Sequence, residues 1–439
     1  FMVEQDARES WIATFGARIV GREFFQARFF ELARWERAAD FFAIGIAFWL
    51  PWSTSLTSIF LVLWLVALIP TLDGPGLRRV FASPAGGLPA LLWLLALIGM
   101  LWAVGVPAAE RWGGVSSVLK LLVIPLLMFQ FQRSDGASRV MIGFLASCGV
   151  LLILSWVTIL LPDMPLPWTR REGFGVPVKD YIAQTGEFMV CIFLFAEIAV
   201  QAWRKQQRGQ ALALLLAASV FLANLFAIST SRTGLVVIPI LLLLFIWRHV
   251  GRRQLAGTLI AAAALGVAAW FFAPHVRSSV TDVLNEVRSF SPEGDQRTRA
   301  GERLEFWRKS IGFIVDAPMI GHGTGSIPDQ FRRAAVGQAG LAGLASKNPH
   351  NQIFGVAIQL GLLGTAVLFA MWLAHLMLFR GEGLVAWAGL VIVAENIVSS
   401  LFNSHLFDFT QGWGYVIGVG TAAGAVLRQV SQRQPEKRP

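Results

Sequence analysis

Long stretches without a charged residue alternate along the chain with short clusters that hold most of its charges. Twelve apolar segments stand out, at 38–50, 54–71, 88–106, 114–132, 138–161, 183–203, 209–228, 233–248, 254–273, 351–379, 384–402 and 412–428. Crossing the hydrocarbon of a bilayer takes about 20 mostly apolar residues in a helix. There the backbone polar groups must be satisfied within the segment, which a helix does. The pattern predicts an all-α polytopic membrane protein with about 12 transmembrane helices and one large loop. Pro51-Trp52-Ser53-Thr54 interrupts a single long apolar run and predicts a tight turn between the first two spans.

Composition strengthens this picture. Of 439 residues, 55% are hydrophobic and 15% charged, against about 25% charged in a soluble domain. The net charge of +10 would raise the question of nucleic acid in a soluble protein. Here cytoplasmic loops and anionic lipid account for it, and no nucleic-acid partner is expected beside the membrane lipids. With the N-terminus inside, the inner loops hold Arg78, Arg79, Arg133, Arg204, Lys205, Arg208, Arg248, Arg252, Arg253 and Arg380. The short outer loops hold only Arg111, Arg170, Arg171, Lys179 and Arg232. That asymmetry predicts twelve spans with both ends cytoplasmic. Residues 1–38 carry mixed charges and lead straight into the first span, so no cleavable signal peptide is expected. Cys148 and Cys191 lie within apolar runs and read as inert buried thiols.

The expected organisation is a cytoplasmic segment 1–37, spans one to nine over 38–273, a large outer loop 274–350, spans ten to twelve over 351–428 and a cytoplasmic tail 429–439. Within the loop, 278–290 and 296–315 are amphipathic helix candidates, and a short helix is expected at 328–336. Leu304, Trp307, Ile311 and Ile314 fall at helical spacing along the second. The Gly/Pro-rich stretch 317–328 should be irregular. The loop reads as a lid-like or docking subdomain with too little apolar surface to fold alone.

Four polar patterns carry candidate chemistry. Ser231-Arg232-Thr233-Gly234 opens the eighth span from outside. With Thr230 or Ser231 as N-cap, the helix amides and the guanidinium suit a phosphate, though an arginine reaching to headgroups has the same signature. Asn348-Pro349-His350-Asn351 opens the tenth span, with Asn348 as a candidate N-cap and His350 in the first turn. There the helix dipole disfavours the imidazolium and leaves a neutral base, or a structural histidine at a helix end. Arg299 and Arg303 lie four apart on one face of the loop helix, with Glu302 positioned to pair with either or with Lys309. Gly321-His322-Gly323-Thr324-Gly325 allows close backbone approach to a ligand or another helix, and its His322 is a rival base. His405 and Asp408 share the last outer loop and could reach the same cavity. No cysteine/histidine spacing suits a metal, and no cofactor is expected.

Taken in order, S-R-T-G, an Arg-rich outer helix with R-x-x-x-W, G-x-G-x-G, then H-N followed by G-L-L-G at 361–364 resemble the O-antigen ligase and polymerase superfamily. The motifs cover roughly 210–380; span count and loop placement extend the resemblance along the chain. It implies a fold related to the C-type membrane glycosyltransferases and a site on the periplasmic face of a bacterial inner membrane. The implied activity moves O-antigen from undecaprenyl diphosphate to lipid A–core oligosaccharide, without ATP or metal. It also implies His350 as general base and Arg232 and Arg303 as diphosphate ligands. Thr233, Arg299, His322, Asn351, Lys179, Gln184 and Asp408 are secondary candidates. The chemistry fits those residue types. A lipid diphosphate leaving group needs cations, and a sugar hydroxyl needs a base. A sibling polymerase or protein O-oligosaccharyltransferase would use the same set. A transporter or flippase would instead need charges deep in the spans, where Lys120 and Glu197 stand, with Glu187 and Glu395 near span ends.

Overall fold

A computed structural model describes residues 31–162, 175–227, 232–272, 274–294 and 297–433. Among them the chain is helical throughout. Helix α1 spans 31–49. It is followed by α2 (Thr54–Leu68), α3 (Gly74–Ala82), α4 (Pro84–Ile98), α5 (Ala108–Leu119), α6 (Val123–Arg133), α7 (Ala137–Leu160), α8 (Tyr181–Arg204) and α9 (Arg208–Ala227). Then come α10 (Gly234–His249), α11 (Arg252–Phe272), α12 (Pro274–Arg288), α13 (Arg299–Asp316), α14 (Ile327–Ala335), α15 (Gln352–Leu378), α16 (Leu384–Ser399) and α17 (Phe409–Arg433). Seven of these stretches are long and apolar enough to cross a membrane, α5 and α6 acting as one through a 3-10 turn. Helices α10 and α16 are apolar but shorter. The protein is thus a polytopic helical membrane protein. Among the described residues each of the twelve apolar segments is largely helical, and the turn expected at 51–54 exists: Ser53 caps α2 by accepting Leu56 N–H at 3.2 Å.

Two apolar cores run through the bundle. One joins α1, α2, α4, α6, α15 and α17 around Trp64, Phe129, Phe131 and Tyr415. The other joins α7, α8, α9, α10 and α16 around Phe188, Phe221 and Trp387. Apolar side chains also cover the outside: Ile153, Leu216, Trp247 and Ile260 are largely exposed, as lipid-facing residues are. The connections alternate between two ends. At one end Asp73 pairs with Arg133, Asp40 with Arg139, and Glu197 with His249 and Arg248. At the other lie the 50–53 turn, Lys179, Arg232, the segment 274–351 and the 400–408 turn, joined by the contacts described below.

The segment 274–351 carries the three expected helices, with one correction. Helix α13 docks through Phe306 and Phe313, which close around Phe331 of α14 and Ile358 of α15. Ile311 is 54% exposed, while Ile314 packs against this cluster and Trp307 against Phe354, so the stripe of Leu304, Trp307, Ile311 and Ile314 is only partly covered. The helix carries two apolar stripes, and periodicity cannot say which meets the bundle.

Candidate functional site

The entry to α15 differs from the sequence expectation. Asn351, not Asn348, is the N-cap: its side chain accepts Phe354 N–H at 3.1 Å, and the helix begins at Gln352. His350 therefore stands before the helix, with a left-handed backbone (φ 53°). A non-glycine residue there costs about 1–2 kcal/mol and persists only where its surroundings fix it. Here they do. Asn348 Oδ1 accepts His350 N–H at 2.8 Å and the Ser404 hydroxyl at 2.7 Å. Phe306 stacks on the imidazole, with centroids 6.0 Å apart and planes at 17°. Trp307 Nε1–H donates to the His350 carbonyl at 3.4 Å. Asn403 Oδ1 lies 3.1 Å from His350 Nδ1, and Asn403 Nδ2 donates to Asp408 at 3.0 Å. His350 Nε2 meets no hydrogen-bond partner among the described residues. Burial, then the Arg303 charge, holds the imidazole below its ordinary pKa, against the opposite pull of Asn403, Asp408 and Glu302.

The charges of two further arginines, Arg232 and Arg299, reach Arg303. Arg303, one turn from Arg299 on α13, is half-buried. Burial lowers its pKa, as do the neighbouring Arg232 and Arg299, while Tyr181 and Glu286 act the other way. Arg299 reaches the Tyr181 hydroxyl at 3.3 Å. Arg232 forms a two-pronged pair with Glu286 of α12 at 2.7 and 2.9 Å. This pairing raises the guanidinium pKa and lowers that of the carboxyl. Glu286 also accepts Ala300 N–H at 2.8 Å, so it ties α10's entry to α13's first turn. Helix α10 begins at Gly234; Thr233 is buried and caps nothing with its side chain. The expected caps Thr230 and Ser231 lie outside the described residues, as do Arg170 and Arg171. Lys309 turns to the Ala342 and Leu344 carbonyls and to Glu305 rather than to Glu302.

The glycine-rich motif meets helices. Gly361 leaves helical geometry inside α15 (φ 60°, ψ −155°), which frees carbonyls above the break and amides below it. The 318–323 backbone fills both: His322 and Gly323 N–H donate to the Ile358 and Gln359 carbonyls at 2.8 and 3.0 Å. Leu362 and Leu363 N–H donate to the Pro318 and Met319 carbonyls at 2.8 and 3.2 Å. A Cβ on Gly323 would lie 2.5 Å from the Ala103 α-carbon, and both Gly321 and Gly323 have positive φ. Thr324 binds the Ala96 carbonyl at 2.7 Å through its hydroxyl. His322 Nε2–H donates to the Phe313 carbonyl at 2.7 Å.

The remaining candidates are engaged elsewhere. Lys179 binds the Leu50 carbonyl and, at 3.1 Å, the Thr410 hydroxyl. Gln184 is buried among Ser155, Asn224 and the Gly175 carbonyl. His405 is buried against Asp408 at 3.2 Å. Asp408 joins the His350 network only through Asn403. Neither Asn403 nor Glu286 carries a sequence signal, because each acts on a partner more than fifty positions away. Lys120, buried in its span, donates to the Asp408 carbonyl at 2.5 Å and so pins the 400–408 turn. An apolar cavity runs between α1, α7, α8, α16 and α17, lined by Leu50, Phe144, Val190, Ile392 and Thr410 among others, with Glu187 and Glu395 on its wall. Among the described residues no group of three His, Cys, Asp or Glu side chains is placed to hold a metal ion.

Residues 217–369, roughly a third of the chain, match a family model described as O-antigen ligase. They include Arg232, Arg299, Arg303, His322 and His350, and exclude Asn403 and Asp408. A protein of Haemophilus influenzae, described only as uncharacterized, is 26% identical over 170 residues, 36% of this chain. The match spans 42% of that protein's own length.

Proposed function

We propose, from the premise that its 217–369 domain places this chain in the O-antigen ligase family, that it transfers O-antigen from undecaprenyl diphosphate to lipid A–core oligosaccharide. The transfer takes place at the periplasmic face of the inner membrane, in a protein of twelve spans. The single observation that carries this reading is a half-buried imidazole, held at Nδ1 and without a partner on Nε2 among the described residues, beside an arginine that feels two further guanidinium charges. The charges of the short loops support that side: those at the end opposite His350 hold more Arg and Lys than those at its own end, as cytoplasmic loops do, while a long loop translocates largely regardless of charge.

In this scheme a sugar hydroxyl of the acceptor attacks the anomeric carbon of the donor. The carbon–oxygen bond to the diphosphate breaks, and the leaving group departs with the electron pair. The hydroxyl proton passes to His350 Nε2. A single displacement inverts the anomeric centre. Arg303, Arg299 and Arg232 hold the diphosphate and offset its growing charge. Glu286 is then the anion that the diphosphate displaces from Arg232. The apolar cavity offers a place for the prenyl chain.

The test mixes purified protein, undecaprenyl-diphosphate-linked O-antigen and rough lipopolysaccharide, with chelator and without nucleotide. A ladder of ligated lipopolysaccharide is expected. No ladder overturns the assignment, and longer carrier-linked glycan without ligation reassigns the chain to polymerisation.

A further inference from the structure

We infer that Asn403 is a positioning residue that holds His350 in the Nδ1–H tautomer and so keeps the lone pair on Nε2, an inference that rests on the proposed role of His350 as base. Neutral histidine free in water prefers the other tautomer, with the proton on Nε2 and the lone pair on Nδ1. A base that must use Nε2 needs a group that accepts from Nδ1. An asparagine side chain does this only when its oxygen faces the ring; turned over, its NH2 would demand the lone pair on Nδ1.

Two independent contacts fix which way Asn403 faces. Its Nδ2 lies 3.0 Å from the Asp408 carboxylate, which accepts and cannot donate when ionised. Its Oδ1 lies 3.0 Å from Asn348 Nδ2. The Asn348 amide is itself oriented, because its Oδ1 takes the His350 backbone N–H, which can only donate. The orientation of both amides is therefore set by groups with one possible role. Asn403 Oδ1 must face His350 Nδ1 at 3.1 Å, and Nδ1 must carry the proton. The Asp408–Asn403–His350 chain does by amide what a carboxylate does in other histidine sites, without placing a negative charge directly on the ring.

The chain contains six histidines, few enough to assign by single substitution. Nitrogen-15 spectra of histidine-labelled, full-length protein in detergent, with His350→Asn used for assignment, read the tautomer directly. The wild type is expected to show Nδ1 protonated and Nε2 bare. Asn403→Leu is expected to move the proton to Nε2 and to lower kcat by about 100-fold or more, with the donor KM within about threefold of wild type. Asn403→Asp keeps an acceptor at the same place, and with one proton shared toward Asp408 it should retain the tautomer and most of the turnover. A wild-type signal with Nε2 protonated, or an unchanged tautomer in Asn403→Leu, overturns the inference. Should the wild type show the expected tautomer yet transfer no glycan, the ligase reading fails and the positioning role stands.

Discussion

His322 and His350 both belong to turn-rich motifs packed beside the first half of α15, and in the sequence His322 is a rival to His350 for one role. The structure treats them oppositely. Around His322 the left-handed positions are glycines, as steric rules prefer, and each packs against backbone from elsewhere in the chain: α15 for Gly321, the connection after α4 for Gly323 and α5 for Gly325. The imidazole closes the arrangement by giving Nε2–H to a carbonyl. Around His350 the left-handed residue is the histidine itself, the turn is made by side-chain amides, and Nε2 has no partner among the described residues. Backbone strain is thus relieved at the first motif and retained at the second. A strained non-glycine residue whose reactive atom is free is the pattern expected of a working site. A turn whose backbone amides all find acceptors is the pattern of packing.

The comparison breaks most directly at His350. Asparagine tolerates the left-handed region better than alanine does and offers no base, so His350→Asn should fold as wild type. Its ligation rate is expected to fall by about 100- to 10,000-fold, read as ladder formation under saturating donor. Wild-type turnover in that variant would remove His350 as the base. The complementary change is Gly361→Ala in the break of α15. A Cβ there meets the Met319 backbone, and φ is 60°. Left-handed strain and overpacking together should destabilise by about 2–4 kcal/mol, seen as a lower unfolding midpoint in detergent. A midpoint unchanged from wild type would mean that the 318–323 backbone is not a fixed wedge.

How much of this was legible beforehand depends on the range of the interactions. The apolar segments were, because crossing a bilayer imposes length and charge rules on contiguous residues. So were α12, α13 and α14, whose spacing repeats over a few turns. The kink at Gly361 was not, since 351–379 reads as one apolar run whether straight or broken. The cap of α15 was misplaced by three residues because Asn348 and Asn351 satisfy the same local rule; only the contacts to Asn403, Ser404 and Leu401 decide between them. Arg232 stood out as a cation on the sparsely charged side, but its bond to Glu286 did not. Nor did the amide relay behind His350, since Asn403 is one polar residue in a loop of several. What escaped the sequence was the set of groups that orient other groups.

The smallest expected effect belongs to His322→Phe, and it tests the comparison from the other side. Phenylalanine keeps the ring volume and removes one hydrogen bond, leaving the Phe313 carbonyl without its donor. A half-buried site of this kind should lose about 1 kcal/mol of stability. The backbone bonds that seat the loop in α15 come from the His322 and Gly323 amides, which the substitution does not touch. Turnover at saturating donor should therefore stay within about twofold of wild type, since no proton in the proposed reaction passes through this ring. The two readouts separate the alternatives. A small fall in unfolding midpoint with intact ligation is the signature of a packing histidine. A loss of ligation as deep as that of His350→Asn, with the midpoint preserved, would make His322 the base and reduce His350 to a strained turn.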